Sequence, residues 1–139
     1  LAVEALTFDS LVLDALVQVL FDLQTIGAHE PSAAAFTNLL KLNVDNNQKR
    51  EWWFWLADSQ AALKQYEAAA LSYLRSASLL DAEASDQWAQ SCRYQAAQML
   101  VAAKRPEDAR RVYSRLLAST RDPARRAALQ AELDKVIGK

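Results

Sequence analysis

The sequence predicts an all-α chain: an α-α superhelix of about three stacked helical hairpins, followed by a C-terminal capping helix. Glycine and proline are scarce among the 139 residues, two and three respectively, and residues that favour helices dominate. Apolar and polar residues never alternate for long, so no strand is expected. One pattern occurs twice: Tyr66-Glu67-Ala68-Ala69 with Tyr73, and Pro106-Glu107-Asp108-Ala109 with Tyr113. We expect a single domain over residues 1–139.

Apolar spacing and turn residues place seven helices in this domain. The hairpins are expected at about 8–42, 48–80 and 85–119, and the capping helix at about 122–137. In the first helix, leucines at three- and four-residue spacing should face inward: Leu13, Leu16, Leu20 and Leu23. Gly27 should end the first helix and form the turn of the first hairpin. Pro31 should open its second helix, because proline suits a first turn.

Polar residues predict where the later helices begin. The asparagines within residues 43–47 are available as caps of the third helix, and Ser85 or Asp86 as the cap of the fifth. Glu107 and Asp108 suit the first turn of the sixth helix, where acidic side chains complement the helix dipole. Asp122-Pro123 should start the last helix, and Gly138 should end it.

The repeated pattern extends to a third, weaker copy near the start of the chain. Phe36, Tyr73 and Tyr113 are separated by 37 and 40 residues, and Leu16, Trp53 and Arg93 keep the same intervals. A small residue lets two helices approach closely, and an aromatic ring four residues later lies on the same face. A single pair cannot bury its apolar face, so the pairs are expected to stack.

These residues resemble the tetratricopeptide repeat family, whose unit has about 34 residues. The best match is Trp53-Phe54-Trp55-Leu56-Ala57 followed by Tyr66–Ala69 and Tyr73, and the next is Ala97, Ala109 and Tyr113. The chain departs from the family where Ala57, Ala97 and Leu20 replace its glycine, and its repeats are longer than the standard unit. Trp88–Ser91 and Thr120–Arg126 resemble the C-terminal part of longer bacterial tetratricopeptide proteins, which would explain the missing initiator methionine.

The resemblance implies a non-enzymatic scaffold that presents a concave groove to a protein or peptide. Positions that line this groove in the family fall, in this sequence, on Asp14, Phe21, Glu51, Phe54, Asp58, Tyr94 and Gln98. This set is acidic and aromatic and has no Lys/Arg clamp for a carboxylate tail. A basic or apolar segment is therefore the expected partner. Neighbouring repeats of a longer parent chain, or a second copy, are alternative partners.

The run Trp52-Trp53-Phe54-Trp55 is the strongest local anomaly. Four consecutive helical residues point in directions about 100° apart, so they cannot all enter one core. We expect Trp53 to face its partner helix, and Trp52 or Trp55 to pack on a neighbouring pair. Phe54 either lines the groove as an exposed binding residue or belongs to a central helix that is buried on most sides.

No residue pattern indicates catalysis, a metal or a cofactor. His29 has no second ligand near it and should be a surface residue, and Cys92 should be a small packing residue. We therefore expect no enzyme activity and no cofactor. The alternative function is that of an accessory or regulatory helical domain of a larger cell-envelope enzyme or assembly. The compartment stays open between the bacterial cytoplasm and the cell envelope.

Charge is unevenly distributed along the chain. The net charge is −5 over residues 1–45, −1 over 46–103 and +5 over 104–139. This asymmetry either steers partners or orders a head-to-tail stack, or it reflects ordinary solvated faces. Seven arginines lie between Arg105 and Arg126, but a pI near 5.8 and the lack of interleaved aromatics argue against nucleic acid. The apolar stretch 11–23 is too short and too acidic for membrane insertion.

Overall fold

A computed structural model of the chain describes residues 10–79 and 86–138, with side chains from Asp14 onward. These residues form seven helices and no strand. The helices are α1 (Ser10–Thr25), α2 (His29–Leu39), α3 (Asn46–Ala62), α4 (Tyr66–Ser78), α5 (Gln87–Ala102), α6 (Pro106–Ser119) and α7 (Pro123–Ile137). Each helix packs on the next one along the chain. The all-α prediction is confirmed for the described residues.

Aspartates cap three of the four odd-numbered helices. Asp45, Asp86 and Asp122 each accept a hydrogen bond from a backbone N–H in the first turn of α3, α5 or α7, at 2.9 to 3.0 Å. The predicted caps Asp86 and Asp122 are confirmed, whereas Ser85 lies outside the described residues. The asparagine caps predicted for α3 are wrong. The helix begins earlier, and a carboxylate, which accepts strongly from N–H groups at the positive end of a helix, does the capping.

The start of α2 also differs from the prediction. The helix begins at His29, so Pro31 lies within its first turn and does not open it. His29 is consequently half-buried at the helix start, and its Nδ1 has no hydrogen-bond partner among the described residues. His29 therefore keeps a partly exposed position at the surface, with one ring nitrogen buried. The predicted boundaries at residues 8 and 80 lie outside the described residues.

The turns inside the three helix pairs have the same geometry. Each contains three residues, and its middle residue has a left-handed backbone: Gly27 at φ 86°, Lys64 at φ 62° and Lys104 at φ 62°. In each turn the residue after the left-handed one donates its N–H five residues back, at 2.7 to 2.9 Å. This is the Schellman arrangement that pairs the last carbonyls of a helix. Its left-handed residues are 37 and 40 residues apart.

The small and aromatic residues of the repeated pattern form the core. Ala69 and Ala109 are fully buried, and the rings of Tyr73 and Tyr113 are 2% and 1% exposed. Ala57 and Ala97, which stand where the tetratricopeptide pattern has glycine, are also fully buried. Their methyl groups therefore fit between the helices, and the substitution keeps the close approach that a small residue allows. Phe36 occupies the corresponding place in the first pair and is buried as well.

A buried polar cluster joins α3, α4 and α5. Ser76 Oγ donates to the backbone oxygen of Arg50 at 2.6 Å and accepts from the indole N–H of Trp88 at 2.9 Å. The guanidinium of Arg50 forms an ion pair with Asp86 at 2.8 Å and lies over the Trp88 ring. These contacts satisfy polar groups that would otherwise be costly to bury. They also fix the N-terminus of α5 against α3.

One of the inward leucines predicted in α1 is exposed. Leu20 is 3% exposed, whereas Leu16, one turn earlier, is 38% exposed. The expectation that Leu16 lies in the core is therefore wrong. Helix α1 packs mainly against α2 and reaches α3 through Gln24, so its buried face is narrower than the leucine stripe. Leu13 lies outside the described side chains.

Candidate functional site

The odd-numbered helices contact one another in succession. The side-chain amide of Gln24 on α1 donates to the backbone oxygen of Trp55 on α3, at 2.9 Å. Phe54 on α3 contacts Trp88 on α5, with ring centroids 5.2 Å apart. Arg125 on α7 donates to the side-chain oxygen of Gln90 on α5, at 3.3 Å. Helices α1, α3, α5 and α7 therefore share one side of the molecule, and the predicted groove residues all lie on the first three.

A hollow of about 230 Å³ separates α1 from α3 on this side. We call it the acidic hollow, and its lining residues are Asp14, Val17, Gln18, Phe21, Gln48, Glu51, Trp52 and Trp55. Three of the seven predicted groove residues, Asp14, Phe21 and Glu51, thus come together. Phe21 packs edge-on against Trp55, with centroids 4.7 Å apart, so the hollow has an aromatic wall.

The two carboxylates of the acidic hollow are available to a ligand. Asp14 and Glu51 are both exposed, and neither makes an ion pair or hydrogen bond with the described residues. The other polar residues of the hollow, Gln18 and Gln48, carry no charge. A cation that enters would therefore meet two carboxylates and the faces of aromatic rings, both of which attract positive charge.

A second hollow, of about 290 Å³, lies where α5, α6 and α7 meet. We call it the tyrosine hollow, and it is lined by Gln90, Ser91, Tyr94, Gln95, Leu116, Thr120, Arg125, Ala128 and Leu129. Of the predicted groove residues only Tyr94 lines it. Gln98 is half-buried and donates to the Tyr94 hydroxyl at 3.1 Å, so it positions that hydroxyl. Arg125, one of the seven arginines of the C-terminal part, also lines this hollow.

Phe54 lies between the two hollows and lines neither. Its half-buried ring contacts Trp55, Tyr73 and Trp88, with centroids 5.0 to 5.6 Å apart. Each contact is tilted or edge-on, the arrangement that stabilises aromatic pairs. Phe54 therefore joins α3 to α4 and α5. Its use as a binding residue stays a prediction.

Asp58 has a structural partner that the sequence pattern did not reveal. Its carboxylate accepts a hydrogen bond from the hydroxyl of Tyr73 at 2.7 Å, which joins α3 to α4. Burial of the ring, together with this carboxylate, raises the pKa of Tyr73 well above its usual value. The tyrosine therefore stays neutral and keeps donating across the ordinary pH range. Asp58 is nevertheless exposed, so its carboxylate also reaches the solvent.

The four consecutive aromatic side chains of α3 contact different neighbours, as their spacing around the helix requires. Trp52 is fully buried and Trp55 is half-buried, and both pack on the first helix pair. Trp53 lies under the guanidinium of Arg75 on α4, 4.9 Å from the ring centroid, so it faces its partner helix as predicted. The indole nitrogen of Trp52 is buried without a hydrogen-bond partner among the described residues.

Neither the thiol of Cys92 nor a metal-binding cluster provides a site for reactive chemistry among the described residues. Cys92 is fully buried, and burial raises the pKa of its thiol, so the reactive thiolate form is disfavoured. Within residues 10–79 and 86–138, no three His, Cys, Asp or Glu side chains meet in a way that could hold a metal ion. The hollows therefore offer charge, aromatic surface and amide groups to a ligand.

The arginines of the C-terminal part are mostly engaged with their neighbours. Arg105 and Arg110 pair with acidic side chains three residues away, and Arg111 also lies near Asp108. Arg126 donates to the backbone oxygens of Leu117 and Thr120, at 2.6 and 2.8 Å, and so pairs the last carbonyls of α6.

None of the described helices has the length and apolar character that a membrane crossing requires. Comparisons with protein-family models, with curated proteins and with solved structures give no match for this chain. Its function is therefore argued from its own surfaces.

Proposed function

We propose that this chain is a non-enzymatic protein-interaction domain built from tetratricopeptide-like helical hairpins. Three features support the proposal: the similar turns at Gly27, Lys64 and Lys104, the aspartate caps of α3, α5 and α7, and the buried alanine–tyrosine pairs. They recur at intervals of 36 to 41 residues, somewhat longer than the family unit of about 34, as expected for stacked copies of one enlarged unit. The side shared by α1, α3, α5 and α7 would be the groove that holds a partner.

The acidic hollow is the observation that carries this proposal. Asp14 and Glu51 are exposed, have no partner among the described residues and lie beside an aromatic wall, which suits a lysine or arginine side chain of an incoming segment. A salt bridge in an exposed site contributes at most about 1 kcal/mol, so the carboxylates mainly select charge. Apolar contact with Phe21 and Trp55 would supply most of the affinity.

The test is a peptide-binding titration with variants of the acidic hollow. The probe is a fluorescein-labelled peptide in which arginine alternates with leucine, and its twin has glutamate in place of arginine. Wild-type protein should bind the arginine peptide more tightly than the twin. The double variant Asp14→Lys with Glu51→Lys should weaken binding by about tenfold or more, because two attractions become repulsions.

A charge-matched control separates the hollow from general electrostatics. Glu30→Lys changes an exposed acid on α2 that does not line the hollow. This variant should bind the arginine peptide like wild type. Equal affinity of wild type and the double variant, at the same helicity, would refute the acidic hollow as the binding site.

A further inference from the structure

Helix α4 presents an exposed leucine on the side of the molecule away from the acidic hollow. Leu71 is 51% exposed, although it lies in the middle of its helix. A single exposed leucine needs no explanation, but this one adjoins three hollows. They lie between α2 and α4, beside Trp53 of α3, and between α4 and α6, with volumes of about 400, 420 and 590 Å³.

The three hollows form one apolar surface with Leu71 at its centre, because Leu71 lines all of them. We call this the α4 surface, and its main apolar residues are Leu40, Trp53, Leu71, Leu74, Leu79 and Val112. Its residues on α4 run from Glu67 to Ser78, a length of about 17 Å at the rise of an α-helix. The surface is thus long enough to hold about three turns of another helix.

The charges at its edge are mainly positive. The surface includes four cations, Lys41, Arg75, Arg105 and Arg111, and two anions, Glu67 and Asp108. Arg105 pairs with both anions, at 3.5 and 2.9 Å, and Arg111 lies 3.5 Å from Asp108. Both carboxylates of the surface are therefore already paired with Arg105 or Arg111.

The remaining two cations have no carboxylate partner among the described residues. Lys41 contacts the side-chain oxygen of Asn38 at 3.4 Å, and Arg75 lies over the ring of Trp53. Both border the hollow between α2 and α4. An apolar surface whose rim carries cations without a carboxylate partner among the described residues is the complement of an apolar stripe flanked by carboxylates.

We infer that the α4 surface binds an amphipathic helix of a partner protein that carries Asp or Glu beside its apolar stripe. The apolar stripe packs around Leu71, and the carboxylates reach Arg75 and Lys41. This is the helix-in-groove mode of recognition, with charge setting the partner and its direction. The acidic hollow and the α4 surface then select partners of opposite charge. The inference does not depend on the proposed function of the acidic hollow.

The test uses two labelled peptides of about four helical turns with the same leucine stripe. One has glutamate at all other positions, and the other has lysine. Fluorescence anisotropy should show at least about tenfold tighter binding of the glutamate peptide at low salt, and this preference should shrink as salt screens the charges. Equal affinity for the two peptides would overturn the inference.

Two matched variants locate the binding site. Leu71→Glu places a carboxylate at the centre of the surface and should weaken binding of the glutamate peptide by about tenfold or more. Val19→Glu changes a residue of matched exposure, 53%, on α1 and should leave binding unchanged. Both positions are exposed, so both variants should fold with wild-type helicity. An unchanged affinity in Leu71→Glu would overturn the inference.

A second copy of the chain is the rival occupant. Sedimentation velocity over a range of protein concentrations measures self-association directly. We expect Leu71→Glu and wild type to sediment alike. A wild-type dimer that Leu71→Glu dissociates would overturn the inference, because the surface would then be covered by another copy.

Discussion

The middle of the molecule and its first helix use apolar residues in different ways. Helices α3 to α5 bury small residues, with Ala57, Ala69 and Ala96 fully inaccessible. Helix α1 carries larger aliphatic residues, yet Leu16 and Val19 are 38% and 53% exposed. Burial therefore follows the number of neighbouring helices more closely than side-chain size.

The reason lies in the contacts of each helix. Helix α3 contacts α2 and α4 along the chain, and its side chains also reach α1 and α5. Helix α1 contacts α2 and α3 among the described residues. Close approach on several sides requires alanine, whereas a helix with fewer neighbours buries one stripe only. Three substitutions test this contrast, beginning with the largest expected effect.

Ala69→Asp should abolish cooperative folding or destabilise the domain by more than about 4 kcal/mol. The side chain is fully buried, so the new carboxylate would be desolvated without a partner. Urea unfolding followed by circular dichroism measures the effect. The control is Ala34→Asp at an exposed position of α2, which should cost less than about 0.5 kcal/mol. If Ala69→Asp were as stable as wild type, the contrast would be wrong, because the core of α3 to α5 would then tolerate a buried charge.

Tyr73→Phe should cost about 1 to 2 kcal/mol in the free energy of unfolding. The substitution removes the hydrogen bond to Asp58 and leaves a carboxylate that must rely on water. Tyr113→Phe is the matched control, since its ring is equally buried and its hydroxyl makes no hydrogen bond to a described residue. That control should lose less than about 0.5 kcal/mol. Equal losses would mean that the Asp58 contact contributes nothing to stability.

Leu16→Ala should have the smallest effect, below about 1 kcal/mol, because the leucine is already partly in water. Leu20→Ala, one turn along the same helix, should cost about 2 kcal/mol or more because it leaves a cavity. Thermal and urea unfolding of the pair sharpen the contrast within α1 itself. A larger loss of unfolding free energy for Leu16→Ala than for Leu20→Ala would contradict the contrast, because Leu16 would then be the more deeply buried leucine.

The sequence predicted the helices and the repeated core well, because these depend on local rules. Proline at the start of α6 and aspartate before α7 predicted where these helices begin. The alanine–tyrosine spacing predicted buried positions. The starts of α2 and α3 were misplaced, since several polar residues could serve as caps. The left-handed turns at Lys64 and Lys104 carried no signal either, because lysine rarely adopts that backbone.

The candidate site was less predictable. Three residues predicted from the tetratricopeptide resemblance, Asp14, Phe21 and Glu51, do line one hollow, because they lie on the facing sides of two neighbouring helices. The resemblance did not reveal that Phe54 contacts Trp88, or that Asp58 accepts from Tyr73. Such contacts join residues on different helices, and spacing along one helix carries no information about them. The α4 surface was missed for the same reason, since it combines residues of several helices.

The left-handed turns have a consequence for engineering the chain. The turn inside each helix pair holds three residues, whereas the connection between the first two pairs holds six, residues 40–45. Asn43 in this connection is exposed and lines neither binding surface, so it is the permissive place for inserting a tag or a loop. The turns at Lys64 and Lys104 instead suit glycine, which would relieve backbone strain of about 1 kcal/mol at each. Thermostability could then be raised without altering either binding surface.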